Sequence, residues 1–251
     1  MKEKEFNNPF VKEFMHLQST YSTNDYAKEN FNQLKNKTLI VADEQTAGRG
    51  RLDRTWFSPK KEALYFSLII KKHITIEDLS FLNLISSLSV HKTITEVSSI
   101  IPDLKWPNDV YIKKKKVAGI LIETIFKADL LAGTIIGIGI NLNIKEFPLA
   151  LQSKATSLYL ETNKETNNQR FLTVFINQFA TYFKNRKSKS KILKEWESCS
   201  TSIHNKNILV TLHGIPKRAL TKGLSSHGYL LVQMEGYPLT EITTADYLLM
   251  D

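Results

Sequence analysis

The run LKWPNDVYIKKKKVAGILIETIFKADLLAGTIIGIGIN, from Leu104 to Asn141, reads as four strands folded back on one another. Leu104–Trp106 and Val110–Ile112 are short apolar segments parted by Pro107–Asn108–Asp109, a turn by composition. The four lysines at 113–116 fall where a hairpin tip belongs. Val117–Phe126 and Leu130–Asn141 are long apolar strands with a second hairpin at Lys127–Asp129. Strands joined by successive hairpins pair antiparallel, so a largely antiparallel or mixed sheet is predicted. GIGIN at 137–141 offers two glycines of a dinucleotide-binding turn, but the third would fall at Leu142 and no helix follows. That excludes the dinucleotide fold, and no G-x-x-x-x-G-K-S/T phosphate loop occurs.

Upstream, Glu77–Ser99 repeats apolar residues at threes and fours (Leu82, Ile85, Leu88, then Val90, Ile94, Val97) and predicts a helix closed by Pro102. Ala63–Lys71 is short, apolar and β-rich, a buried strand. Before it, Thr38–Ala42 leads as a strand into DEQTAGRGRLDRTWFSP, Asp43–Pro59. Gly48 and Gly50 let that backbone come close to a ligand. Arg49, Arg51 and Arg54 place three permanent cations on it, suited to phosphate or carboxylate. Their mutual repulsion, with Leu52 as the sole apolar side chain before Trp56, predicts a loop that orders on binding an anion. Ser22–Thr23–Asn24 reads either as a helix-capping loop or as a set of hydrogen-bonding groups for a polar ligand. Residues 1–18 are polar with a few aromatics and leave no room for a helix-turn-helix unit.

Downstream, 145–169 reads as irregular. Phe171, Val174, Phe175, Phe179, Tyr182 and Phe183 mark an amphipathic helix whose aromatic stripe belongs to the core. A second, basic helix around Ser190–Ser198 carries Trp196. From about Asn205, short strands with glycine-containing turns predict a small β-barrel that must lean on its neighbour to be stable. The expected division is a larger domain at 1–203 and a barrel at 204–251.

At 251 residues, with 42% hydrophobic and 24% charged side chains, the chain has the composition of a globular protein. A single cysteine, Cys199, excludes an intrachain disulfide and a cysteine-cluster zinc site. No N-terminal apolar segment and no membrane-length apolar run are present, so a cytoplasmic protein is expected. The formal net charge of +9 invites a nucleic-acid reading. The lysine-rich places (113–116, 186–194, 217–222) lack interleaved aromatics, so a surface for small anions or an acidic partner is the stronger reading. The six histidines show no metal-ligand spacing, and no G-x-S-x-G nucleophile turn occurs.

Four signals in fixed order, Ser22–Thr23–Asn24, Gln45 with Gly48–Arg49–Gly50–Arg51, Lys105–Trp106–Pro107–Asn108–Asp109, and Lys116 with Gly119–Ile120–Leu121, followed by GIGIN, resemble the biotin–protein ligases over about residues 20–251. The GRGR loop, the KWPND string and a lysine seven residues after its aspartate make a specific combination. The resemblance implies an α+β fold, a class II synthetase-like mixed-sheet domain followed by a small SH3-like β-barrel. It implies a two-step reaction in which biotin and ATP with Mg²⁺ give biotinyl-5′-AMP and pyrophosphate. The biotinyl group then passes to a lysine of a biotin carboxyl carrier domain of acetyl-CoA carboxylase or a related carboxylase. Bifunctional members add an N-terminal DNA-binding domain, so a ligase without DNA binding is expected, with homodimerisation left open.

On this resemblance Lys116 and Arg51 are catalytic. Ser22, Thr23, Asn24, Gln45, Arg49, Gly50, Arg51, Lys116 and Gly119 hold biotin. Gly48, Arg54, Trp56, Asn108, Asp109 and Asn141 serve ATP or the adenylate, and no residue is assigned to Mg²⁺. The chemistry agrees, because biotin's carboxylate and ATP's phosphates repel and need cations held over both. Asp53 departs from the family, which usually has glycine there. It puts an anion beside the arginines and leaves the loop's detailed conformation in question.

Overall fold

The computed structural model describes residues 6–52, 54–72, 74–212, 215–243 and 247–249. Seven strands, β1 (Glu13–Leu17), β2 (Thr38–Ala42), β3 (Leu64–Ile70), β4 (Asp103–Lys105), β5 (Asp109–Ile112), β6 (Lys115–Lys127) and β7 (Leu130–Ile140), form one sheet. Their order is β1-β2-β3-β7-β6-β5-β4. β1 and β2 run parallel and the other neighbours pair antiparallel, which makes the sheet mixed. The two tight hairpins turn on Lys113–Lys114 and Ala128–Asp129, all four with positive φ, the geometry that suits two-residue turns between twisted strands. The tip of the lysine run is therefore only two residues wide, and Lys115 and Lys116 already belong to β6.

Among the described residues six α-helices accompany the strands: α1 (Thr23–Glu29), α2 (Leu79–Ser98), α3 (Leu149–Gln152), α4 (Leu158–Thr162), α5 (Asn168–Lys184) and α6 (Lys189–Ser198). The alternation of a strand fixes which of them meets which face. Leu64, Phe66, Leu68 and Ile70 of β3 join the core formed with α2 and α5, including Phe81, Leu84, Phe171 and Phe175. Ile69 points the other way, into a smaller core with Ala27 and Phe31 beneath α1. One face of the sheet is thus filled by long helices, while the other carries only a short helix and leaves room beside it.

Three features were not legible in the sequence. β1 lies in a segment read as merely polar, because EFMHL is half-buried at a sheet edge and shows no clear alternation. The stretch after β7 holds α3 and α4, and Ser157 Oγ caps α4 by accepting from Leu160 N at 3.1 Å. α2 keeps hydroxyls inside an apolar setting because Ser86, Ser89 and Thr93 donate to carbonyls four residues back.

The C-terminal strands β8 (His204–Leu212), β9 (Ile215–Leu224), β10 (Leu230–Gln233), β11 (Thr240–Ile242) and β12 (Tyr247–Leu249) form a small antiparallel sheet, consistent with an SH3-like unit. Ile208, Val210, Leu230 and Val232 share the main apolar core, so this unit does lean on the larger one. Trp106 Nε1 donates to Gly228 O at 3.1 Å and Ser80 Oγ to His227 O at 2.6 Å, seating the β9–β10 turn against α2 and the start of the KWPND turn. Among the described residues no helix is long and apolar enough to cross a membrane.

Candidate active site

The open space beside α1 is a cavity of about 400 Å³. Every site candidate named from the sequence lines it except Gly48, which sits at the base of the arginine loop. The cavity is floored by the glycine-bearing face of β6 and β7. Gly119 and Gly139 are paired in register, and Leu121 faces Gly137. A Cβ on Gly137 would collide with Asn24 Oδ1, and one on Gly139 would lie 2.5 Å from Trp56 Nε1. A Cβ on Gly119 would lie 3.0 Å from Trp56 Cζ3 and 3.1 Å from Lys116 Cε. GIGIN is therefore a strand whose glycines admit side chains from other elements, a use of strand glycine distinct from a nucleotide turn. Residues two apart on a strand are about 6.5 Å apart, so Asn24, Trp56 and Lys116 lie in that order along the floor.

At the Gly137 end the wall is polar and neutral. Thr23 N and Oγ1 both donate to Gln45 Oε1, at 2.8 and 3.2 Å, and Gln45 Nε2 donates to Ser58 Oγ at 3.2 Å. Ser67 Oγ lies 2.6 Å from Asn24 Oδ1 and 2.8 Å from Thr23 Oγ1. Ser22 occupies the N-cap position of α1, but no side chain caps the helix. Ser22, Thr23 and Asn24 all line the cavity, so the set stands at once at the start of α1 and on the cavity wall. Asn24 Nδ2 donates to Leu121 O at 3.2 Å and Glu123 Oε2 at 2.8 Å, so its amide is largely engaged by the protein.

At the other end the charges gather. Arg51, Arg54, Lys105, Lys116 and Lys154 line the cavity, and Asp109 is the one carboxylate among its described lining residues. Asp109 Oδ1 lies 2.6 Å from Lys116 Nζ, which also stands 5.1 Å from the Trp56 ring centre. Arg51 donates to Asn108 Oδ1 at 3.2 Å, and Asn108 Nδ2 to Ile120 O at 2.7 Å. Asn141 is buried, with its amide donating to Thr156 O at 3.0 Å, so it also fastens the 154–158 segment to the sheet. Burial, aided by Asp109 and opposed by Arg54, pushes the Tyr111 hydroxyl up to about 12, so it stays protonated beside the cations.

The described residues of the arginine loop are joined by backbone hydrogen bonds. Trp56 N donates to Gly48 O at 2.8 Å and Gly50 N to Arg54 O at 2.6 Å, with Arg49 and Thr55 bridged, so the segment is a small hairpin. Arg49 is held by two carboxylates. Its Nε and NH2 donate to Asp25 at 3.0 and 2.5 Å, and its NH2 to both oxygens of Glu123 at 3.0 and 2.9 Å. Burial works against the Arg49 charge, yet these hydrogen bonds from Glu123 and Asp25 outweigh it and hold the guanidinium above its usual value. Asp53 lies outside the described residues.

Sequence reasoning missed Ser67, Ser58, Asp25 and Glu123. Ser67 had a signal, as the one small polar residue inside the strand LYFSLII. Among the described residues no group of three or more His, Cys, Asp or Glu is placed to hold a metal ion. The cavity as a whole suits a molecule with a neutral hydrogen-bonding head and an anionic tail, the tail meeting a second anion among the cations.

Residues 16–141 match the model of the biotin/lipoate A/B protein ligase family. The chain is 36% identical over 203 residues to the bifunctional ligase/repressor BirA of Bacillus subtilis, covering 78% of this chain and 61% of that protein. It is 31% identical over 124 residues to the biotin–acetyl-CoA-carboxylase ligase of Mycobacterium tuberculosis, covering 48% of this chain and 44% of that one. Among solved structures, the biotin protein ligase from Aquifex aeolicus in complex with biotin and ATP superposes with a TM-score of 0.82 at 32% identity, covering 96% of this chain and 99% of that one. The chain thus spans about three fifths of the length of the Bacillus ligase/repressors it matches.

Proposed function

The chain belongs to the biotin/lipoate A/B protein ligase family, and from that premise we propose that it is an ATP-dependent biotin–protein ligase. In the first step a carboxylate oxygen of biotin attacks the α-phosphorus of ATP and pyrophosphate leaves, giving biotinyl-5′-AMP. In the second, the amine of a lysine on a biotin carboxyl carrier domain of acetyl-CoA carboxylase or a related enzyme attacks the acyl carbon, and AMP leaves. Residues 1–203 form the catalytic domain in this reading, and 204–251 the SH3-like domain.

One observation carries it. A neutral, hydrogen-bonding wall (Thr23 and Gln45, backed by Ser67) and a cluster of cations (Arg51, Arg54, Lys116) meet along a single glycine floor. A ureido head with a carboxylate tail fits that polarity, whereas the apolar head of lipoate or octanoate would offer the polar wall no hydrogen bond. Lys116 and Arg51 neutralise the carboxylate and the α-phosphate as they approach, lowering the barrier by fixed charge where negative charge builds. Ser22, Thr23, Asn24, Gln45, Gly50 and Gly119 form the biotin wall, Trp56 and Arg54 flank the nucleotide, and Asn108, Asp109 and Asn141 complete its side. Arg49 supports that wall through Asp25 and Glu123. Mg²⁺ arrives with ATP on its phosphates, as expected of an ion that keeps most of its ligands as phosphate and water. The reading makes the protein cytoplasmic, gives it no role on DNA and is compatible with a homodimer.

Biotin-dependent exchange of radiolabelled pyrophosphate into ATP tests it. Exchange with biotin and not with lipoate or octanoate is expected. Exchange that ignores biotin would overturn the reading.

A further inference from the structure

Glu123 and Asp25 touch no reacting atom in the reaction as proposed, yet between them they hold Arg49, a cation of the cavity lining. Glu123 stands on β6 at the neutral end of the cavity, just beyond Leu121, whose carbonyl Asn24 also binds. Its Oε2 accepts from Asn24 Nδ2 at 2.8 Å and from Arg49 NH2 at 2.9 Å, and its Oε1 accepts from Arg49 NH2 at 3.0 Å. Asp25 adds two more hydrogen bonds to the same guanidinium from the first turn of α1. One carboxylate therefore joins three elements, namely the helix that bears Thr23 and Asn24, the sheet that floors the cavity, and the loop that bears Arg51 and Arg54.

Arg51 reaches Asn108 Oδ1 at 3.2 Å and Trp56 lies on the glycine floor. Leu52, by contrast, is 66% exposed, and the bonds from Trp56 N to Gly48 O, Gly50 N to Arg54 O and Arg54 N to Arg51 O close the hairpin on itself. α1 has seven residues and no side-chain cap. A bidentate arginine gripped from two elements fixes direction as well as distance. We propose that Glu123, with Asp25, is a positioning residue that latches the arginine loop to the biotin wall through Arg49. Arg49 then spends its charge on the latch, and its role toward the substrate is to set the pose of the loop. The latch joins a change at Thr23 or Asn24 to the pose of the loop, because Asn24 and Arg49 share the same carboxylate oxygen. This inference deepens the ligase reading and rests on it for its kinetic part.

The test has two arms. In the first, limited trypsin digestion of the protein without substrates reads the bonds after Arg51 and Arg54. Glu123→Gln is expected to speed cleavage there about tenfold, the loss of one charge-assisted hydrogen bond, with the thermal midpoint shifted by no more than about 3 °C. In the second, pyrophosphate exchange is expected to show KM for biotin raised about tenfold and kcat changed less than about twofold, a split that general destabilisation does not produce. Arg49→Ala takes from Asp25 and Glu123 the cation they share, leaving Glu123 with Asn24 alone among these partners. Adding Glu123→Gln to it is therefore expected to restore part of the lost biotin affinity rather than to add a second loss. Unchanged cleavage in Glu123→Gln, or additive losses in the double variant, would overturn the latch. If the unaltered protein gives no biotin-dependent exchange, the ligase reading fails, and the trypsin arm still decides the latch.

Discussion

The indole of Trp56 lies against the backbone of Gly139, so close that a Cβ there would stand 2.5 Å from Nε1 and 2.7 Å from Cε2. The arginine loop leaves the cavity through this contact, and the strand beneath it has no side chain to yield. Gly139→Ala is expected to push Trp56 off the floor and lower pyrophosphate exchange at least about tenfold, since the displaced ring narrows the cavity it now borders. The fold should survive, because the strand keeps its ladder with β3 and β6. Exchange assays with thermal unfolding check this, and full activity in the variant would show that Trp56 moves without consequence.

Lys116 and Lys114 separate one lysine from its neighbours in the run. Lys114 forms the hairpin tip with positive φ, whereas Lys116 turns into the cavity beside Asp109. Lys116→Ala is expected to slow adenylate formation on the order of 10²–10³-fold, the loss of one preorganised charge at the transition state. Lys114→Ala should be nearly silent. Equal effects in pyrophosphate exchange would move the catalytic role elsewhere in the run.

Among the described residues, the C-terminal unit contributes no side chain to the cavity lining. Lys217 on β9 bonds the Tyr237 hydroxyl and sits 4.0 Å from the centre of its ring, and Arg218 is its neighbour on the same strand. Reversing both charges, Lys217→Glu with Arg218→Glu, is expected to leave exchange intact and to slow transfer to the acidic-surfaced or neutral carrier severalfold, through the on-rate, which rim charges chiefly set. Slowing of both half-reactions alike would place this unit in the first step.

His91 on α2 gives a pH signature. Burial first, and the Lys92 charge second, lower its imidazole below the ordinary value, against the opposing pull of Glu195. Between the lowered folded value and the unfolded value near 6.5 the unfolded chain binds the proton and the folded chain does not. Its contribution to stability is therefore complete above about pH 6.5 and is lost as pH falls through the folded value. His91→Leu is expected to flatten the decline in thermal midpoint between about pH 7 and pH 5. Parallel declines in the two proteins would sink the assignment.

The sequence by itself determined most of the elements, because their signals are local. Alternation and turn residues mark β6 and β7, threefold and fourfold apolar spacing marks α2 and α5, and the order of short motifs marks the family. Nearly all the site candidates it marked line the cavity. What those residues touch was decided by the tertiary structure. Arg49, marked by the sequence only as a cation on a loop, is bound by Asp25 and Glu123, and Asn24, marked only as a polar residue near a helix start, is engaged by Glu123, Leu121 and Ser67. These partners come from α1, β3 and β6, and Glu123 lies 74 residues from Arg49 and 99 from Asn24. Composition and spacing report what a side chain can do, while its hydrogen-bonding capacity is finite and is shared out only when distant segments meet. The same limit hid β1, whose five half-buried residues become a strand because β2 offers them an edge to pair with.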